Sequence, residues 1–147
     1  MEKVIEKLKI NIQNIPDRFM KLEEESVTAK TAPGKWSKKE ILGHLIDSAF
    51  NNLRRIIMVQ YQPGAKIIYD QDQWVRIQNY QEIDVNDLVQ LWIILNQQFV
   101  NLIERYPENM LNLSIDTGKE SIEFCTAEFL IKDYLDHMEH HLKQIFG

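Results

Sequence analysis

The stretch His137-Met138-Glu139-His140-His141, inside the closing segment Asp133 to Gly147, holds three of the chain's four histidines, and the fourth, His44, lies far upstream. On a helix, side chains four residues apart lie on one face, so His137 and His141 can aim two imidazoles at one point. His140 falls about 60° round the helix from His137, further from the apolar stripe, and is left out of the set. A third imidazole from another helix, with His44 as the candidate, completes a three-histidine site for a divalent ion. Bringing His44 to this pair then constrains the fold.

The surrounding pattern is helical. Val4, Ile5, Leu8, Ile12, Ile15, Phe19 and Leu22 recur at helical spacing and predict a first helix over 2–25, with Pro16 as a point of kinking or interruption. Ser26 to Lys35 breaks the pattern at Pro33-Gly34. Ser37-Lys38-Lys39-Glu40 reads as a capping box opening a second helix to about Tyr61, with the stripe Ile41, Leu42, Leu45, Ile46, Ala49, Leu53 and Ile56. Beside that stripe His44, Ser48, Asn51 and Arg55 form one polar column. Gln62 to Ile83 is a connection of 22 residues carrying Tyr69, Trp74 and Tyr80, a length that is usually functional or holds a short helix. Asp84 caps a third helix over Val85 to Tyr106, which Pro107 stops; Leu88, Leu91, Trp92, Leu95, Phe99, Leu102 and Ile103 mark its inner side. The linker Glu108 to Cys125 contains Asp116-Thr117-Gly118-Lys119, a turn between two short extended pieces, and Thr126 caps a fourth helix to about Phe146.

Four long helices predict an all-α, single-domain four-helix bundle spanning 1–147. The long second connection, at ~3.3 Å per residue, reaches back along a bundle of ~30 Å, so helices two and three can run parallel in an up-down-down-up order. The histidines ask for the same order. His44 sits about two turns into helix two and His141 about two turns from the end of helix four, and they meet only if those helices are antiparallel. An up-down-up-down bundle would put them at opposite ends.

Composition narrows the function classes. Hydrophobic residues make up 44% and charged residues 27% of the 147, ordinary for a globular domain with a real core. With 17 basic and 22 acidic side chains the net charge is −5, which opposes nucleic-acid binding. One cysteine, Cys125, rules out an internal disulfide framework and fits a reducing cytoplasm. No apolar run approaches the ~18 residues of a membrane span, and the charged start Met1-Glu2-Lys3-Val4-Ile5-Glu6-Lys7 is no secretory segment.

Three neutral imidazoles suit zinc or nickel and leave one coordination position open, the catalytic rather than the structural pattern. The plainer alternative is a pair of core or surface histidines on a terminal helix. For Ser48, Asn51 and Arg55 the alternatives are a solvent face or a substrate cleft, with Arg55 binding an anionic group. Asp47 either supports a ligand imidazole or accepts a proton, or else pairs with Arg54 on the exterior. Tyr69, Trp74 and Tyr80 form a substrate wall or simply staple the loop to the core. Cys125, next to a helix N-terminus, has a route to a lowered pKa, though a lone cysteine is more often buried and inert.

Taken in order, Pro33-Gly34-Lys35-Trp36-Ser37, His44-Leu45-Ile46-Asp47-Ser48, Asn51, Arg55, Tyr69-Asp70, Trp74 and His137-x-x-His140-His141 resemble the DinB/YfiT-like superfamily over nearly the whole chain. The resemblance implies an up-down-down-up four-helix bundle, often dimeric, that binds zinc or nickel through His44, His137 and His141. It also implies metal-dependent hydrolysis, transfer of low-molecular-weight thiols such as bacillithiol or mycothiol, or isomerisation of thiol adducts, and some members of the superfamily have no known activity. Two positions depart from close YfiT-like sequences, Gly43 and Gln144 each standing where a further histidine is common. The leading expectation is a metal-dependent thiol S-transferase acting on a small-molecule thiol and an electrophile, with Asp47 and Arg55 catalytic and Ser48, Asn51, Tyr69 and Trp74 binding substrate. The alternatives are a hydrolase using a metal-bound water, or a non-catalytic metal-binding bundle; a homodimer without nucleic-acid or membrane partners is expected in each case.

Overall fold

A computed structural model describes residues 1–147. Four long helices form the body: α1 (Glu2–Met20), α3 (Lys38–Met58), α5 (Val85–Ile103) and α6 (Ala127–Phe146), with short α2 (Glu24–Thr28) and α4 (Gln71–Gln78) in the connections. Side-chain contacts fix the directions. Lys9 of α1 reaches Glu104 just past the end of α5, so these two are antiparallel. Asn11 reaches Glu139 and Arg18 lies over Phe146, so α1 and α6 rise together. Tyr106 donates to the Ile56 carbonyl, placing the ends of α3 and α5 side by side. The order is up-down-down-up, as the histidine spacing requires.

Local chemistry sets the helix boundaries. Ser37 Oγ accepts from the Glu40 amide while Glu40 Oε2 accepts from the Ser37 amide, completing the capping box of α3. Asp84 and Thr126 cap α5 and α6. The predicted first helix over 2–25 is corrected: it ends at Met20, and a separate turn of helix starts after Glu23. The run Glu23-Glu24-Glu25 explains the break, because carboxylates are disfavoured at a helix C-terminus and favoured at an N-terminus. Pro16 stays within α1. The second and third helices end a turn earlier than predicted, at Met58 and Ile103.

The two long connections are bound to each other. β1 (Ser114–Asp116) and β2 (Phe124–Thr126) form a small antiparallel pair, the two extended pieces expected in the linker. The crossover adds a third edge: Ile67 donates to the Asp116 carbonyl and Asp116 donates to the Ala65 carbonyl. Arg55 holds the same segment, its Nε and Nη2 both donating to the Ile67 carbonyl.

Helix α3 is the central element. It contacts α2, α4, α5 and α6, and every residue from Ile41 to Ala49 is buried. Gly43 is one of these. A Cβ at that position would fall inside the Tyr80 ring, so Tyr80 packs directly on the α3 backbone and its hydroxyl donates to Asp47 Oδ1. A larger residue at position 43 and Tyr80 in this place exclude one another, which accounts for one departure from YfiT-like sequences. Gly43→Ala is expected to destabilise the fold by about 1–3 kcal/mol through overpacking, measured by urea denaturation; unchanged stability would contradict this seat for Tyr80.

Candidate metal centre

The site is built where the N-terminal half of α3 crosses the C-terminal half of α6. His44 is fully buried on α3, and His137 and His141 project from successive turns of α6. One ligating nitrogen from each of the three lies within 4.8 Å of the others. His44 Nε2 and His137 Nε2 are 3.0 Å apart. Two nitrogens each ~2.0–2.1 Å from a zinc ion at a tetrahedral angle are ~3.4 Å apart, so the His44–His137 pair needs a slight opening and the wider spacing within the trio a closing to suit one.

A hydrogen bond on its outer ring nitrogen fixes which way the His141 lone pair faces. His141 Nδ1 lies 2.8 Å from Gln144 Oε1, an acceptor, so Nδ1 carries the proton and Nε2 is bare. His137 Nδ1 lies 3.4 Å from Ser48 Oγ. His44 Nδ1 has no partner. A single proton between the facing Nε2 atoms satisfies one pair, whereas a cation takes up all three lone pairs. Burial, reinforced by the neighbouring imidazoles, pushes His44 down to about 3 and His137 to about 4, and burial also lowers His141. The rings are therefore neutral at physiological pH, the form that ligates. These residues fit a divalent ion.

A cavity of about 720 Å³ opens beside His141. The Trp36 ring, 4.8 Å from His44 and 6.4 Å from His141 between centroids, forms one wall. Gln71 and Asp72, from the start of α4, line it with Gln144. Trp36 and Gln144 were present in the sequence as part of the resemblance and as a departure from it; the motif Pro33-Gly34-Lys35-Trp36-Ser37 ahead of His44 was the available signal. Nothing in the spacing pointed to Gln71 or Asp72.

The other expected site residues are distributed differently. Ser48 meets His137, as above. Asn51 is buried and donates to the Asp47 carbonyl. Asp47 faces away from the imidazoles: its Oδ1 accepts from Tyr80 and, at 2.6 Å, from Gln78, while Oδ2 has no partner. Asp47 lines a second, apolar cavity with Phe50, Trp74 and Ile77, and burial raises its carboxyl to about 6. Trp74 lies between Phe50 and Tyr69, tilted to the first ring and edge-on to the second. Arg55 is spent largely on the Ile67 carbonyl, with its guanidinium 5.8 Å from the Tyr69 ring centre. Cys125 is half-buried, with Thr117 Oγ1 3.4 Å away.

The lowered histidines make the metal-free protein acid-sensitive. The unfolded chain takes protons near pH 6.5, whereas His44 and His137 refuse them in the fold until about 3 and 4. Stability is thus lost as pH falls below 6.5, by about 2 kcal/mol per histidine at pH 5. The raised Asp47 works in the opposite sense between about pH 6 and 4. Urea midpoints of the metal-free protein at pH 7 and 5 check the sum: a clear fall is expected, and a rise would contradict the neutral cluster.

The comparisons agree with this architecture. No curated protein sequence matches the chain. Among solved structures, YfiT from Bacillus subtilis, described as a probable metal-dependent hydrolase with an unusual four-helix bundle topology, superposes with a TM-score of 0.88 at 19% identity, covering 98% of this chain and 82% of that one. The mycothiol-dependent maleylpyruvate isomerase gives 0.79 at 7% identity, over 99% of this chain and 60% of that one. YjoA, a DinB-like protein from Bacillus subtilis, gives 0.65 at 16% identity, over 98% and 87%. At such identities the likeness speaks to the fold. Residues 7–145 match the DinB superfamily, and the chain belongs to it.

Proposed function

We propose that the protein is a metal-dependent hydrolase whose ion, zinc or nickel, is held by His44, His137 and His141. The observation that carries this is the convergence of three neutral imidazoles, one nitrogen from each within 4.8 Å, beside an open cavity. A divalent ion bound there supplies Lewis acidity to whatever carbonyl, water or thiol shares it. The chain's own groups do the rest. Gln144 and Ser48 orient His141 and His137. Trp36 covers His44 and shields that side of the centre from water. Asp72 is the one carboxylate lining the cavity and takes the proton-acceptor role first considered for Asp47, which is engaged by Tyr80 and Gln78.

Thiol transfer is the second reading, favoured by the structural likeness to the mycothiol-dependent isomerase. The sequence resemblance placed it first; the closer likeness to YfiT moves hydrolysis ahead. Both readings use small-molecule substrates, and the homodimer implied by the resemblance belongs to the proposal as well.

One comparison separates the readings. Zinc- or nickel-loaded protein is expected to turn over p-nitrophenyl esters or anilides without added thiol, with a loss on the order of a hundredfold in His44→Ala and a much smaller effect in Asp47→Asn. Turnover of an electrophile only when bacillithiol is present would favour thiol transfer. No difference between the wild type and His44→Ala in either assay would count against both.

A further inference from the structure

The cavity beside His141 differs in charge from the rest of the molecule. The chain carries −5 overall, yet Lys30, Lys35 and Lys38 all line this one cavity, against a single acid, Asp72. Lys30 is already paired, its Nζ 3.0 Å from Glu40 Oε1. Lys35 and Lys38 make no ion pair with any carboxylate of the chain. Lys38 is also the first residue of α3, where a cation lies against the helix dipole and lowers helix stability. Its neighbour Lys39 finds compensation, donating to the Gln81 carbonyl; Lys38 has no such acceptor.

We infer that Lys35 and Lys38 form an anion-recognition subsite on the rim of the metal cavity, so that the substrate presents a carboxylate or similar anion at its far end while its reacting group reaches the histidine cluster. The inference rests on the metal-centred reading above and adds the substrate class to it. A cavity of about 720 Å³ lies within the range that holds a whole small molecule. Trp36, which lies between Lys35 and Lys38 in sequence, lines the cavity with them and packs on His44, offers an apolar face for the middle of such a molecule. The sequence placed anion binding at Arg55, whose guanidinium is committed to the Ile67 carbonyl; the rim lysines are free for it.

The test holds the metal-binding group constant and changes only the tail. Cobalt(II)-loaded protein is titrated with succinic monohydroxamate, which ends in a carboxylate, and with butyrohydroxamate, which ends in a methyl group, following the visible cobalt spectrum. The acid is expected to bind about five- to tenfold tighter at low salt, with the advantage shrinking as ionic strength rises. Lys35→Gln/Lys38→Gln should remove the advantage, leave butyrohydroxamate unaffected, and keep or slightly raise the urea midpoint. Equal affinities in the wild type, or an advantage that survives the double substitution, would overturn the lysine assignment alone. If neither hydroxamate alters the cobalt spectrum, the metal-centred reading falls and the inference falls with it.

Discussion

The structure depends on the meeting of three imidazoles at one buried point. His44 from α3 and His137 from α6 bring their Nε2 atoms to 3.0 Å inside the protein, with His141 beside them. One proton shared between those two Nε2 atoms leaves the His141 lone pair unmet, and burial makes it costly for His44 or His137 to take a further proton. A chain that maintains such an arrangement carries a local cost in its fold, which a shared cation would offset. The cost also explains why the surroundings are so closely arranged. Gln144 fixes the proton on His141, Ser48 lies against His137, and Trp36 covers His44.

Much of the architecture could be read from residue spacing because each link has a simple physical cause. The capping box at Ser37 and Glu40, the caps at Asp84 and Thr126, and the apolar stripes fixed the long helices. The length of the second connection and the histidine positions fixed the direction of travel. The break after Met20 was harder to see, because the apolar period runs through Leu22 while the glutamate run acts against it. The length of the second connection allowed for a short helix, and α4 is one, but its bounds and the third edge supplied by the crossover were not readable. The edge depends on contacts between Ala65–Ile67 and Ser114–Asp116, segments about fifty residues apart.

The site was legible where it lies along helices and obscure where it lies between them. His137 and His141 follow from a four-residue interval. The burial of Ser48 and Asn51 does not, since a polar column normally faces water; it arises because α3 is enclosed by four other helices. For the same reason Asp47 turns to Tyr80 and Gln78 rather than to an imidazole, in a seat that exists only because position 43 is glycine. Gln144, which looked like the loss of a histidine, serves as an acceptor that sets the tautomer of another.

The chemistry follows from neutral nitrogens that face inward, a cavity that opens beside them and a rim whose charge opposes that of the whole chain. Hydrolysis and thiol transfer share every one of these features up to the identity of the attacking atom. The central claim is therefore the ion itself. X-ray diffraction from crystals of untagged protein, recorded on both sides of the zinc and nickel absorption edges, tests it most directly. One anomalous peak within bonding distance of His44, His137 and His141 is the predicted result; crystals with no such peak after soaking in either metal, the three rings unmoved, would contradict it.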